Sequence, residues 1–461
     1  MYKESKYTFK ETLDGYGMLL YNSRTGAIVS IEEKNIDRIN TILSEPDLNI
    51  DDEFFNALKN NGFILDNDFD ELSSIKSKYD NVFYNTNNIK IVMLPAEICN
   101  FACPYCFVYS YKDKTMENKV YENAIKYIDK KIALADKSKK IVLNLSWFGG
   151  EPLLQRDKII SFMDEINSRY RKDNLEIISG IVTNGYYLDY SVFKKLLDRG
   201  IKQFQVTFDG AKEDHNITRA LKDGTPTFDH IINQIKDILA NISPEDKFNL
   251  AIRINFMRDT YKKVYGLIDY LSELFKDDNR FYIYCRPVYD FNTSRDNHTV
   301  LDRILTLDEG LEIQKDFIQY IKMRRKNTNL QEIRMINDYL PMPTDRWCAS
   351  DQINNIIIGS DGTIYFCDSL IGDEEVAIGI LNDSGEVIYN ENSKEWLKNV
   401  FELENFKGCK ECKSLPICVG SCKRQRVSDR MEKPCLFTEE SISKMMLKYI
   451  KDIMQVPITT A

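Results

Sequence analysis

Within eight residues, Cys99-Asn100-Phe101-Ala102-Cys103-Pro104-Tyr105-Cys106, the chain places three of its eleven cysteines at gaps of three and two. Thiolates are soft ligands that suit iron and zinc, and three on one short loop can grip three corners of a cluster while leaving one coordination position open. A structural zinc knuckle is the alternative, but it needs a fourth Cys or His close by to complete the site. Seven more cysteines follow a second pattern: Cys348, thirteen residues, Gly362, four residues, Cys367; then Cys409, Cys412, Cys418 and Cys422 at gaps of two, five and three; then Cys435. Seven thiolates exceed the four that one metal uses, so two centres are implied, with zinc ribbons as the competing reading of the Cys-x-x-Cys pair. Cys285 stands alone in a strand-like run, either a buried free thiol or an additional ligand. Only three histidines are present, which argues against a histidine-rich metal site.

The elements that must carry these cysteines divide the chain into three. With 461 residues, 43 % hydrophobic and 11 % aromatic, the chain is long enough for two to three domains. Residues 1–85 pair strand-like runs at Tyr16–Tyr21 and Ala27–Ile31 with helical spacing at Glu33–Leu43 and Asp51–Asn60, and the expectation is a small winged-helix-like module. Acidic residues 66–71 and the polar stretch 84–88 read as a linker. Residues 89–330 alternate strand-like runs (89–94, 140–147, 176–183, 203–208, 248–256, 280–288) with amphipathic intervals such as Ser191–Leu197, Phe228–Leu239, Tyr261–Phe275 and Leu307–Met323. Six βα units with right-handed crossovers predict an α/β fold curled into a closed barrel or a partial (β/α)6 barrel, whose chemistry sits at the C-terminal strand ends. Cys99–Cys106 follows the first strand, where that chemistry belongs. Residues 340–461 read as a small, cysteine-stapled domain ending in an amphipathic helix from Glu439 to Met454.

Charge and termini narrow the setting. A net charge of −9 disfavours nucleic acid, although the local basic run Lys423-Arg424-Gln425-Arg426 could touch an anion. Without an apolar segment at the start or a bilayer-length apolar run, a cytoplasmic protein with no membrane partner is expected, where ligation is favoured over disulfides.

Other strand ends carry polar groups: Trp147-Phe148-Gly149-Gly150-Glu151-Pro152, Thr183-Asn184-Gly185, and Thr207-Phe208-Asp209-Gly210 with His215 and Arg219 just beyond. Glycine allows close backbone approach, and a carboxylate accepts from a cationic amine. Gly-Gly-Glu-Pro alone is an ordinary turn, Arg219 alone an ordinary surface arginine, and His215 reads as a local hydrogen-bonder. Asp209 reads equally as a turn former, a cofactor contact or a catalytic proton acceptor.

Taken together, the three-cysteine loop and these strand ends resemble the signature of radical S-adenosylmethionine enzymes, and the seven later cysteines resemble the SPASM pattern. The resemblance implies a [4Fe-4S] cluster on Cys99, Cys103 and Cys106 whose open iron binds S-adenosylmethionine, cleaved after one-electron reduction to a radical that takes a hydrogen atom from substrate. It implies cofactor contacts from Tyr105 (through its backbone), Gly149, Gly150, Glu151, Thr183, Asn184, Thr207 and Arg219. It further implies two auxiliary [4Fe-4S] clusters, three in all: one on Cys409, Cys412, Cys418 and Cys435, the other on Cys348, Cys367 and Cys422. Some relatives carry one more cysteine shortly before the position of Cys348, but Leu340–Trp347 has none. That cluster would then keep an open iron able to take a substrate thiolate, unless Cys285 closes it.

The activity so implied is maturation of a ribosomal precursor peptide with a leader and a cysteine-containing core, joining cysteine sulfur to an unactivated carbon as in thioether-forming (ranthipeptide or SCIFF-type) maturases. Residues 1–85 would hold the leader, and an external flavodoxin- or ferredoxin-type protein would supply electrons. The competing readings are an anaerobic sulfatase-maturing enzyme that forms formylglycine, and a non-catalytic iron–sulfur carrier.

Overall fold

The computed structural model describes residues 1–108, 114–170, 174–289, 298–325 and 340–453. Backbone contacts divide the chain into two compact units, Met1–Asn85 with Gln331–Ile353 and Glu395–Ala461, and Thr86–Leu330 with Asn354–Lys394. The expected 340–461 domain is therefore shared between the units.

The first unit begins with β1 (Tyr2–Glu4), β2 (Thr8–Leu13), β3 (Gly17–Asn22) and β4 (Ile28–Ile31), then helices Ile36–Ser44 and Glu53–Asn60 and β5 (Ile64–Asp66). β2, β3 and β4 form an antiparallel sheet, while β1 pairs with β5. Every residue of β3 is buried because both of its faces are covered. Met18 and Leu20 point to a core with Ile39, Ile42, Phe55 and Leu58; Leu19 and Tyr21 point to another with Leu340, Ile417, Phe437, Ile442, Met446 and Ile450. Residues 1–85 thus share a core with the cysteine-bearing segments of this unit, and the final helix, Glu439–Ile453, lies against β2 and β3. Met454, the expected end of that helix, lies outside the described residues.

The two stretches read as a linker flank a helix, Glu71–Phe83, capped by the Asp70 carboxylate on Ser73 N–H at 3.0 Å. Its buried residues Glu71, Ile75, Tyr79 and Phe83 recur every four positions, a helical period that flanking acidic and polar residues obscure.

The second unit holds β6 (Asn88–Ala96), β7 (Ile141–Gly149), β8 (Leu175–Thr183), β9 (Ile201–Asp209), β10 (Asn249–Phe256) and β11 (Phe281–Pro287), all parallel and adjacent in chain order. These match the six expected strands within two residues at each end. Crossover helices bury one stripe each; Phe228–Asn241 buries Phe228, Ile231, Ile232, Ile235 and Ile238. Because sequential parallel strands connected by helices pile up in one direction, all six C-terminal ends share one edge of the sheet. Four strands extend the sheet beyond the expected barrel: β12 (Asn355–Ile358) runs parallel to β6, and β13 (Thr363–Tyr365), β14 (Gly379–Leu381) and β15 (Val387–Tyr389) follow antiparallel. This pairing is why residues 354–394 belong with the barrel. Among the described residues no helix is long and apolar enough to cross a membrane.

Candidate functional site

The C-terminal strand ends of the second unit enclose a cavity of about 350 Å³. Cys99, Cys103, Tyr105 and Cys106 line it from the loop after β6, Gly149 and Gly150 from the end of β7, Thr183 and Asn184 from β8, Thr207 from β9, and Arg219 from the segment beyond. Ten of the residues expected to bind cluster or cofactor therefore meet in one place. Strand alternation supplies others that the motif reading missed, Lys90, Ser146, Gln205, Arg253 and Asn255. Lys90, Ser146 and Gln205 lie two residues from the lining positions Val92, Phe148 and Thr207, and Arg253 and Asn255 lie two from each other, so polar side chains at inward, period-2 positions were the available signal.

Glycine is required at the end of β7. Gly150 N–H donates to Ala96 O and Glu151 N–H to Ile98 O, both at 2.9 Å, drawing the two strand ends together. A Cβ on Gly149, whose φ is +128°, would lie 2.4 Å from Ala96 O, and one on Gly150 would lie 2.2 Å from Ile98 O. Gly149→Ala is expected to destabilise the protein by about 3 kcal/mol, from backbone strain and a backbone clash, measured as a fall in denaturation midpoint.

Glu151 and Asp209 lie behind the lining rather than on it. Glu151 is fully buried; Oε1 accepts from Leu153 N–H at 3.0 Å and Thr183 Oγ1–H at 2.6 Å, and Oε2 from Asn184 N–H at 2.7 Å. Burial pushes its acid upward against these bonds, which pull it down. Its carboxylate ties the end of β7 to the end of β8 and so aims Asn184, whose Nδ2 donates to Asn100 Oδ1 at 2.8 Å and lies 3.7 Å from Cys99 Sγ. Asp209 is buried at the end of β9 and accepts from Tyr105 O–H at 2.6 and 2.5 Å, Thr218 Oγ1–H at 2.6 Å and Asn255 Nδ2–H at 3.2 Å. The Tyr105 hydroxyl in turn accepts from Arg219 Nη1 at 3.1 Å and Asn255 Nδ2 at 3.2 Å. Tyr105 is thus anchored by its side chain, a contact across 104 positions that no local motif signals.

His215 is held neutral. Thr227 Oγ1–H donates to Arg219 O at 2.7 Å, leaving its oxygen to accept from His215 Nε2 at 3.0 Å, while Nδ1 faces Asp209 N–H at 3.4 Å. Burial first, then the Arg219 charge, drives its imidazolium well below the ordinary range. Above pH ~6.5 both folded and unfolded imidazoles are neutral; below it only the unfolded chain takes the proton, so stability falls as the pH drops toward the depressed native value. As the pH falls below ~6.5 this group is expected to cost stability, seen as a smaller drop in urea midpoint for His215→Gln than for the parent.

The residues around the cavity fit an iron–sulfur cluster with an amino-acid-bearing ligand. Three thiols share one wall; burial pushes Cys99 up to about 11 and Cys103 up to about 12, so binding iron displaces protons. Arg219 keeps its charge although burial opposes it, because Cys103, Tyr105 and Asp209 favour the cation. Its Nε and the Asn100 Nδ2 are buried without a hydrogen-bond partner among the described residues, donors left over for a ligand.

Of the later cysteines, Cys348, Cys409, Cys412, Cys418, Cys422 and Cys435 belong to the first unit and Cys367 to the second. Cys409, Cys412 and Cys435 lie close enough to Cys418 to disfavour its thiolate, which burial chiefly pushes up to about 12. The Cys348 loop is held by Asp351, whose carboxylate accepts from Trp347 N–H at 2.7 Å, Cys348 N–H at 3.1 Å and Tyr79 O–H at 2.8 Å. Cys285 is buried in β11, where desolvation pushes its thiol up. Among the described residues no group of three or more His, Cys, Asp or Glu is arranged for a single metal ion.

Residues 93–271 match the Radical SAM superfamily. The chain is 25 % identical over 361 residues to the cysteine-type anaerobic sulfatase-maturating enzyme of Clostridium perfringens strain 13, covering 74 % of this chain and 90 % of that one. It is also 25 % identical over 390 residues to the radical SAM cyclopropyl synthase TigE of Paramaledivibacter caminithermalis, covering 80 % and 75 %. Among solved structures, native anSMEcpe with bound AdoMet and Cp18Cys peptide superposes with a TM-score of 0.54 at 19 % identity, over 80 % of this chain and 99 % of that one. Streptococcus suis SuiB bound to precursor peptide SuiA superposes with a TM-score of 0.50 at 16 % identity, over 96 % and 100 %. At such identities the structural likeness is one of fold.

Proposed function

From the premise that residues 93–271 are a radical SAM domain, and the chain a radical SAM enzyme, we propose that it modifies a ribosomally made precursor peptide by joining a cysteine sulfur to an unactivated carbon. The observation that carries the enzymatic reading is the meeting of Cys99, Cys103, Cys106, Gly149, Gly150 and Arg219 around one cavity. In this reading the three cysteines hold a [4Fe-4S] cluster, and Gly149, Gly150, Thr183, Asn184, Thr207 and Arg219 hold S-adenosylmethionine. When bound, that pair supplies one-electron chemistry that removes a hydrogen atom from an unactivated C–H bond. Arg219 offers its unpartnered Nε–H to a carboxylate. Glu151 and Asp209 act as positioning residues, the first through Asn184 and the second through Tyr105 and Thr218; a proton-accepting role for Asp209 gains no support from its placement behind the lining.

The peptide substrate draws support from the relatives: sulfatase-maturating enzymes, and solved structures holding a precursor peptide or a Cys-containing peptide. The thioether outcome rests on Leu340–Trp347, which holds no cysteine and leaves Cys348, Cys367 and Cys422 as three thiols where a closed cluster uses four. Cys409, Cys412, Cys418 and Cys435 would hold a third cluster, electrons would come from a flavodoxin- or ferredoxin-type donor, and the edge strand β4 would offer the leader a place to add a strand. Formylglycine formation is the second reading, favoured by the long alignment with the Clostridium perfringens enzyme.

The deciding experiment incubates reconstituted protein, reductant and S-adenosylmethionine with a cysteine-containing precursor peptide, followed by mass spectrometry with thiol alkylation. Loss of two hydrogens together with a cysteine closed to alkylation supports the thioether. An aldehyde in place of the cysteine thiol selects the second reading, and absence of deoxyadenosine with intact clusters sinks both.

A further inference from the structure

The basic run 423–426, which from sequence alone suggested a surface for anions, is largely internal. Arg426 is 2 % exposed, one of the largest buried side chains. Its guanidinium has no carboxylate among its hydrogen-bond partners: Nε donates to Gly420 O at 2.6 Å, Nη1 to Asn405 O at 2.7 Å and Glu432 O at 2.9 Å, and Nη2 to Cys409 Sγ at 3.0 Å. The adjacent Arg424 differs, lying 3.3 Å from the Asp429 carboxylate. A guanidinium cannot shed its proton, and a buried cation is costly unless an anion faces it. Carbonyl dipoles offset part of that cost. The remaining partner is a sulfur, and a neutral thiol is too weak an acceptor to balance a full charge.

We propose that Arg426 is a positioning residue for an iron–sulfur centre on Cys409, Cys412, Cys418 and Cys435, its charged N–H donating to the Cys409 thiolate and raising the reduction potential of that centre. The inference rests on the reading that these four cysteines hold a cluster. Reduction adds negative charge to a cluster, so a buried cation bonded to one of its sulfurs stabilises the reduced form more than the oxidised one. The backbone supports the arrangement: Val419, Gly420 and Ser421 have φ of +37°, +92° and +63°, an unusual run of left-handed residues between two of the cysteines. It is the middle one whose carbonyl receives Arg426 Nε.

Potentiometric titration of the reconstituted full-length protein by electron paramagnetic resonance tests this, the relevant signal being the one missing from Cys412→Ala. Arg426→Gln is expected to lower the equilibrium constant for one-electron reduction of that signal tenfold or more, a downward shift of ~59 mV or greater. Arg426→Lys, which keeps charge but not the fork, is expected to shift it less. An unchanged potential in Arg426→Gln with full iron content overturns the proposal and leaves Arg426 a packing residue. Should that variant lose iron or fail to fold, the unmutated protein labelled with ¹⁵N-arginine decides: the reduced cluster should show a ¹⁵N coupling, and its absence overturns the proposal. If Cys412→Ala loses neither iron nor any signal, the four-cysteine cluster itself is refuted, and the proposal with it.

Discussion

A chain carrying Cys99→Ala, Cys103→Ala and Cys106→Ala is expected to cleave no S-adenosylmethionine, bind about four fewer irons, and fold normally. The three thiols lie on a loop beyond the end of β6, so removing them deletes little packing. Cys106 packs at the margin of a cluster formed by Leu94, Val108, Ile357, Tyr365, Ile371 and Ala377. A cysteine-to-alanine change at such positions costs about 1 kcal/mol or less each. The chemistry, by contrast, is all-or-none, because a cubane that has lost its three protein ligands is not retained. Iron and sulfide analysis, chromatographic assay of deoxyadenosine and a thermal melt measure the three quantities together. Retained cleavage would place the reactive iron elsewhere, among the later cysteines.

Removing residues 1–85 is expected to collapse the first unit rather than to abolish peptide binding alone. Had this segment been a self-contained module, the truncated protein would keep its later clusters. Instead Phe9, Leu19 and Tyr21 share a core with Leu340, Ile417, Phe437, Ile442, Met446 and Ile450, and the Tyr21 hydroxyl donates to Pro341 O. Exposing such a face costs about 1.5–3 kcal/mol per large apolar side chain, so a handful of them matches the whole stability of a typical domain. The loss reaches the cysteines directly. Tyr79 supports Asp351, which holds the Cys348 loop, and Lys6 donates to Lys410 O between Cys409 and Cys412. Limited proteolysis should find residues 395–453 newly cleavable, and iron content should fall by the share of the cysteines in this unit. Full iron retention with protease resistance would restore the picture of a separable module. Leader binding is therefore better tested with point substitutions on β4 than by truncation.

The barrel was legible because its signals are local. Alternating apolar runs and helices of crossover length are properties of contiguous residues, and the expected helix Tyr261–Phe275 is found with those bounds. Glu71–Phe83 was hidden because its buried stripe is only one residue wide per turn and three of its residues, Glu71, Tyr79 and Phe83, carry charge or bulk that also suits a surface. β2 turns into β3 through Asp14-Gly15, a hairpin signal as plain as the one between β3 and β4, whereas β1 pairs with the distant β5 and no local turn announces it. Ile353–Ile358 and Thr363–Phe366 read as strand-like and β12 and β13 form there, whereas β14 and β15 fall in what reads as irregular chain, because strands of three residues gain identity only from the partner they join.

By itself the sequence determined the chemistry available to this protein: which thiols stand together, which glycines adjoin them, and that a parallel sheet delivers them to one edge. Spacing along a chain is enough for that, since ligand loops and strand ends are built from neighbours. Only the tertiary structure decided which polar groups touch the cavity and which stand behind it. Glu151 and Asp209 withdraw into hydrogen-bond networks, Asn255 and Arg253 come forward, and Arg426 leaves the surface for the Cys409 sulfur. Those choices depend on strand register and on contacts between residues far apart in the chain, where burial makes each polar group find a partner.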